Sequence, residues 1–219
     1  MIIEFIGLPG SGKTTIANKL IDRLKDKGNV KIGTFDHLGT LQRISSKLSS
    51  AFTSIFLFPK DSFFVVKELF INHNSKKEIV RDALNILYLM ARYHKARKER
   101  ETIYVFDQGL IQAFLSSCMY GKWSDRIFDL VKKNHDRVIL VNVSPDVSAE
   151  RLSTRRDKSS RVQKSGVEID NLAEQEKCLM KIITTLKINK SKVLFFNNSH
   201  RICPDKLKQI VVLLLKQDL

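Results

Sequence analysis

The chain has 219 residues, 43% hydrophobic and 28% charged, and its 38 Lys and Arg against 23 Asp and Glu give a formal net charge of +15. This balance excludes an intrinsically disordered chain, and the length suits one domain around one core. The excess positive charge attracts anions of every kind, so nucleotides, polyphosphates, nucleic acid and an anionic membrane face all remain open as partners.

In chain order, Ile2–Ile6 reads as a short apolar strand. It begins at residue 2 with no basic segment or cleavage site before it, so a secretory leader is not expected and a cytoplasmic location is. Residues 7–14 read Gly-Leu-Pro-Gly-Ser-Gly-Lys-Thr and match the Walker A pattern GxxxxGK[ST] at every position. An amphipathic helix at 14–27 follows, which supplies the strand-loop-helix setting the motif needs. A backbone wrapped through Gly7, Pro9, Gly10, Ser11 and Gly12, with Thr14 and Thr15 opening the helix, can turn its N–H groups and the positive helix end toward phosphate oxygens. Lys13 is then the mobile cation for β- and γ-phosphates, and Thr14 the hydroxyl ligand of Mg²⁺.

A second strand is expected at Val30–Phe35, and ligands of parallel α/β sheets gather beyond strand ends, which singles out Asp36 and His37. Asp36 is a candidate general base for an acceptor hydroxyl, or else a turn or cap residue; His37 is read as its neighbour. About 65 residues then precede the third strand, more than one crossover helix needs, so two or three helices belong there. One is expected at 75–100, with Ile79, Ala83, Ile86, Leu87 and Met90 on one face. Phe52, Phe56, Phe58, Phe63, Phe64 and Phe70 either pack as the core of an extra helical layer or line an acceptor pocket or partner groove. The apolar stretch 51–71 is interrupted by Pro59, Lys60, Asp61, Lys67 and Glu68, so it cannot span a bilayer. The basic run Arg92–Arg100 is read as a solvated helix face.

The third strand is expected at Thr102–Asp107. Asp107 closes it with the character of a Walker B acid that orients Mg²⁺, the competing reading being a helix N-cap. Helices at 110–119 and 124–134 lead to a fourth strand, Arg137–Val143, and then to a helix at 146–156. There Arg151 and Arg155, four apart, share a face suited to stacking on a base and clamping phosphate oxygens. The polar, basic segment 157–166 reads as a lid. A helix at 170–189, a fifth strand at Lys192–Phe196 and a helix at 204–217 complete the α/β alternation. Cys118, Cys178 and Cys203 show no metal-ligand spacing and read as reduced core residues.

The Walker loop at 7–14, Val-Phe-Asp-Gln-Gly at 105–109 and Glu-Arg-Leu-Ser-Thr-Arg-Arg at 150–156 together resemble the small P-loop kinases of the nucleoside-monophosphate kinase group, most nearly the thymidylate-kinase-like members. The resemblance covers the whole length. It implies one P-loop kinase domain over 1–219: a three-layer α/β fold with a five-stranded parallel sheet in order 2-3-1-4-5, a helical acceptor-side insertion at about 38–100 and a lid at about 152–168. It also implies that Arg151 stacks on adenine, that Arg155 contacts phosphates, and that Asn198, in the loop 197–199, lies beside the base. Thymidylate kinases place Arg-Glu-Pro after the second strand and Asp-Arg after the third. Here those stretches read Thr34-Phe35-Asp36-His37 and Asp107-Gln108-Gly109. An Asp closing the second strand is similar to adenylylsulfate kinases, antibiotic phosphotransferases and zeta-toxin kinases, which points to a hydroxyl acceptor.

The sequence thus supports an ATP- and Mg²⁺-dependent phosphotransferase whose acceptor is a hydroxyl or phosphate of a nucleotide, nucleoside, sugar or similar metabolite. Thr14 and Asp107 would position the metal, and Lys13, Asp36 and Arg155 would carry the transfer. Two other classes stay open: a nucleotide-binding ATPase or switch, and a polynucleotide 5′-kinase. Nucleic acid is allowed by the charge but not favoured, because no RNA-binding motif or aromatic-interleaved basic strand is present. A homodimer is compatible with the sequence.

Overall fold

The computed structural model of the chain describes residues 1–34, 40–72, 75–117, 124–132, 136–154, 169–188, 192–199 and 204–215. Five strands, β1 (Ile2–Ile6), β2 (Asn29–Ile32), β3 (Thr102–Phe106), β4 (Arg137–Asn142) and β5 (Lys192–Asn197), form one parallel sheet in the order β2-β3-β1-β4-β5. The expected strand order is the observed one. The helices among the described residues are α1 (Lys13–Lys25), α2 (Thr40–Leu57), α3 (Pro59–Asn72), α4 (Lys76–Lys98), α5 (Leu110–Ser117), α6 (Asp125–Lys132), α7 (Pro145–Ser153), α8 (Ile169–Ile188) and α9 (Pro204–Leu215).

All five residues of β1 are buried, as a central strand covered on both faces requires. Its alternation sorts the core into two layers. Ile2 and Ile6 join a cluster built with α2 to α6 and α8, whereas Ile3 and Phe5 pack with Ile16, Leu20 and Leu24 of α1 and Leu207, Ile210 and Leu214 of α9. Glu4, on the first of these faces, pairs across to Phe106 of β3 and Val138 of β4. By contrast β2 is an edge strand and is mostly exposed. It stops at Ile32, short of the expected Phe35; the Gly33 N–H still reaches the Val105 carbonyl at 2.8 Å.

The long connection from β2 to β3 holds three helices. Pro59 opens α3 at a position where a missing N–H costs nothing, which separates α3 from α2. α2 lies along α4, with the Ser54 hydroxyl donating to the Leu87 carbonyl at 2.6 Å and the Lys47 ammonium 5.3 Å from the centre of the Tyr88 ring. On α4 the anticipated apolar face is buried at Ile79, Ile86, Leu87 and Met90 and partly buried at Ala83.

The phenylalanines divide. Phe58 and Phe64 pack partly buried against the core, Phe58 edge-on to His94 and Phe64 beneath the Arg126 guanidinium at 4.4 Å. Phe52, Phe56, Phe63 and Phe70 stand 60%, 82%, 73% and 62% exposed, so core packing accounts for only two of the six. Phe63 and Phe64 also line an open groove of about 290 Å³ with Lys60, Lys67 and Arg126. Phe56→Ser is therefore expected to change unfolding free energy by no more than about 0.5 kcal/mol. Denaturant unfolding that shifted by several times that amount would show Phe56 to be packed.

The basic run Arg92–Arg100 is exposed at Lys95, Arg97 and Lys98 on the end of α4 and at Arg100 just beyond it. Arg92 departs from that reading, because it is half-buried and its Nε donates to the Gly33 carbonyl at 2.9 Å. Cys178 packs partly buried against the core, while Cys118 and Cys203 lie outside the described residues. Among the described residues no helix is long and apolar enough to cross a membrane.

Candidate phosphate-binding site

The loop at 7–12 joins the end of β1 to the start of α1. Gly12 sits in the left-handed region at φ 88°, where a side chain would be strained, and that bend lets α1 begin directly at Lys13. Gly12 offers no side-chain cap, so the first N–H groups of α1 face the loop and are free to meet an anion.

Lys13 folds back over the loop, its ammonium donating to the carbonyls of Gly7 and Leu8 at 2.8 Å each and to Ser11 Oγ at 3.4 Å. Burial pushes its pKa down to about 7, with the nearby Asp107 carboxylate acting in the opposite sense. Thr14, the next residue, donates its hydroxyl to Asp107 Oδ2 at 2.9 Å. The half-buried Asp107 thus takes its partner from the loop across the sheet, and the strand order is what makes that possible, since β3 lies beside β1.

Three side chains from elsewhere brace the loop. Gln112 of α5 accepts the Gly7 N–H at 3.2 Å. Ser148 of α7 donates to the Pro9 carbonyl. Asn198, following β5, donates to the Ser11 carbonyl at 2.6 Å, and its own carbonyl accepts from Arg151 Nη2 at 2.8 Å. Its backbone N–H is held by the Asn142 carbonyl at 2.9 Å. Asn198 is 5% exposed, so its amide is committed to the loop backbone.

Gly7, Pro9, Gly10, Ser11, Gly12, Lys13, Thr14 and Thr15 are thus brought together with Asp107, Arg151 and Asn198. Asp36, His37 and Arg155 lie outside the described residues, as do 155–168, most of the expected lid. The helix expected at 146–156 ends at Ser153, where the Thr154 N–H and hydroxyl both return to the Glu150 carbonyl.

Sequence reading missed Gln112, Ser148 and the buried pair Glu4 and Tyr93. Two of them carried a signal: Glu4 is a charge inside Ile-Ile-Glu-Phe-Ile, and Gln112 is an amide inside Leu-Ile-Gln-Ala-Phe-Leu. Each is a polar group that an apolar element must satisfy internally. Ser148 carried none.

The oxygen chemistry at Thr14 and Asp107 fits a hard cation. Among the described residues no cluster of three or more His, Cys, Asp or Glu could hold a metal ion, so a bound ion would have two protein oxygens and complete its shell with phosphates and water. That is the ligation Mg²⁺ favours.

A strand-loop-helix phosphate cradle facing an acid from the adjacent strand, on a parallel sheet of order 2-3-1-4-5, defines the P-loop kinase fold. No protein-family model and no curated protein sequence matches the chain. Among solved structures it is similar to deoxyadenosine kinase from M. mycoides with bound dATP, at 15% identity and a TM-score of 0.54, covering 99% of this chain and 100% of that one. It is also similar to deoxyadenosine kinase from M. mycoides with the products dCMP and a flexible dCDP bound, at 17% identity and a TM-score of 0.51, covering all of both chains. At these identities the likeness is one of fold.

Proposed function

We propose that the chain is a small-molecule kinase that transfers the γ-phosphoryl group of ATP to a hydroxyl of a nucleoside-type acceptor. The observation that carries this reading is the contact of Thr14 with Asp107 beside a folded phosphate loop that holds Lys13 in reserve. A fold shared with a deoxyadenosine kinase supports the nucleoside class of acceptor. The thymidylate-like sub-class belongs to the same proposal, although this chain carries neither acceptor-phosphate arginine of that sub-class at 34–37 and 107–109.

In this reading the loop 7–15 holds the donor phosphates through the backbone N–H groups around the start of α1. Lys13 leaves the Gly7 and Leu8 carbonyls and pairs with the transferring phosphoryl oxygens. Thr14 and Asp107 would hold Mg²⁺, which when bound would neutralise charge on the donor phosphates. Asp36 takes the acceptor hydroxyl proton as that oxygen bonds to phosphorus and the bond to the ADP oxygen breaks. Arg155 offsets charge on the transferring group, and Arg151 and Asn198 border the adenine side. Because Arg151 holds Asn198 and Asn198 holds Ser11, that border is mechanically continuous with the loop.

The test is ATP consumption by the purified chain, screened with deoxynucleosides, ribonucleosides, nucleoside monophosphates and sugars. The expected result is consumption stimulated at least tenfold by a nucleoside-class acceptor, with a phosphorylated product. Hydrolysis at one rate whatever acceptor is present would assign the chain to the ATPases instead.

A further inference from the structure

Glu4 is a fully buried carboxyl in the middle of the central strand, and the reaction scheme above makes no use of it. Its Oε2 accepts from the Tyr93 hydroxyl of α4 at 2.5 Å, and its Oε1 accepts from the Gln112 N–H of α5 at 3.1 Å. The Tyr93 oxygen in turn accepts the Leu110 N–H at 3.3 Å. A carboxylate delivered from β1 thus satisfies the opening turn of α5, which has no acidic residue of its own there. Gly109 presses directly on this pair: a Cβ at that position would lie 2.3 Å from the Tyr93 oxygen and 2.4 Å from Glu4 Cδ.

Both arms of the phosphate site leave from this point. Asp107, which meets Thr14, is two residues before Gly109, and Gln112, which meets the Gly7 N–H, is on the turn that Glu4 holds. We propose that Glu4 is a positioning residue: its carboxylate, with Tyr93, anchors the start of α5 and thereby sets Asp107 and the entry of the phosphate loop in register. The proposal rests on the reading of that loop as a Mg²⁺-nucleotide site.

Stability alone does not account for keeping a carboxyl there. Burial pushes its pKa up from 4.5 to about 7, with the Tyr93 hydroxyl and the Gln112, Ile111 and Leu110 N–H groups opposing the rise. Between those values the unfolded chain is ionised while the folded chain holds the proton, so stability falls as pH rises from 4.5 to about 7 and is level above. The residues packed on it are Phe106 of β3, Val138 of β4, Leu110, Ile111 and Gln112 of α5, and Tyr93 of α4. Tyr93 is the one titratable group in that set, and its own pKa is raised well above its usual value by burial and by Glu4.

The experiment measures ATP affinity of the full chain with and without Mg²⁺ between pH 6 and 8.5, for the native protein, Glu4→Gln and Tyr93→Phe. Taking the ratio of the two affinities removes the protonation of Lys13, which affects both. In the native chain the Mg²⁺-dependent gain should fall as pH drops through about 7, as Glu4 takes up its proton. In Glu4→Gln the gain should be about tenfold smaller and level with pH, while the melting temperature at pH 8 is no lower than native, because a neutral amide replaces a buried charge. Tyr93→Phe, which keeps the ring, should show a smaller loss of the gain. A Glu4→Gln protein that keeps the native gain and its pH dependence, or loses gain only in step with melting temperature, overturns the proposal. A native chain whose ATP affinity ignores Mg²⁺ overturns the proposed function instead.

Discussion

Lys13→Ala is expected to lower acceptor-dependent ATP turnover by about 10²–10³-fold while leaving the fold intact. The fold should survive because Lys13 spends its hydrogen bonds on the loop's own carbonyls, at Gly7 and Leu8, and not on the core. Turnover should not, because no other side chain among the described residues places a cation inside the loop. The depressed pKa makes a second, sharper result available. With burial holding the ammonium near pKa 7, most of it is neutral at pH 8. Phosphate oxygens favour the charged form and raise that pKa, so ATP binding at pH 8 takes up close to one proton and weakens as pH rises above 7. Calorimetry in buffers of different ionisation enthalpy reads this uptake directly. It should vanish in Lys13→Ala; uptake that persists there would place the titrating group elsewhere.

Asp107→Asn is expected to reduce Mg²⁺-supported turnover by about 100-fold with little change in affinity for ATP alone. The amide keeps the size of the carboxylate and can still accept the Thr14 hydroxyl, so the loop contact is preserved. What it loses is the negative charge that would hold the cation. The same charge supports the protonated form of Lys13, so its removal should move the onset of proton uptake to lower pH. A variant whose Mg²⁺ requirement and uptake profile both match the native chain would remove Asp107 from the metal's shell.

The sheet was legible because strands of a parallel sheet are near-continuous apolar runs, and β1, β3, β4 and β5 each show one. The edge strand β2 was drawn three residues too long: an exposed edge carries no apolar boundary to stop at, and Ile32 itself is 42% exposed. Three helices in the stretch before β3 were within the expected number. Which of their phenylalanines face outward was left open, because composition records that a residue is apolar and not which way its helix turns it. Glu4 stood out only as the one charge in a strand apolar at its other four positions, which shows that it needs a partner and not which one. Its meaning lies in Tyr93 and Gln112, which no local window contains.

The sequence by itself determined the phosphate-loop motif and the strand and helix that flank it. A phosphate loop is eight consecutive residues whose glycines and helix start dictate their own backbone shape, so its chemistry can be read without knowing what surrounds it. Tertiary structure alone decided how that loop is held. Gln112, Ser148 and Asn198 reach it from 105, 139 and 187 residues away. The order of the strands brings them there: β1 lies between β3 and β4, and the segments that follow β3, β4 and β5 all end over the same turn. Hydrogen bonds of that range depend on which chain ends the sheet sets side by side, and local propensity carries no record of it.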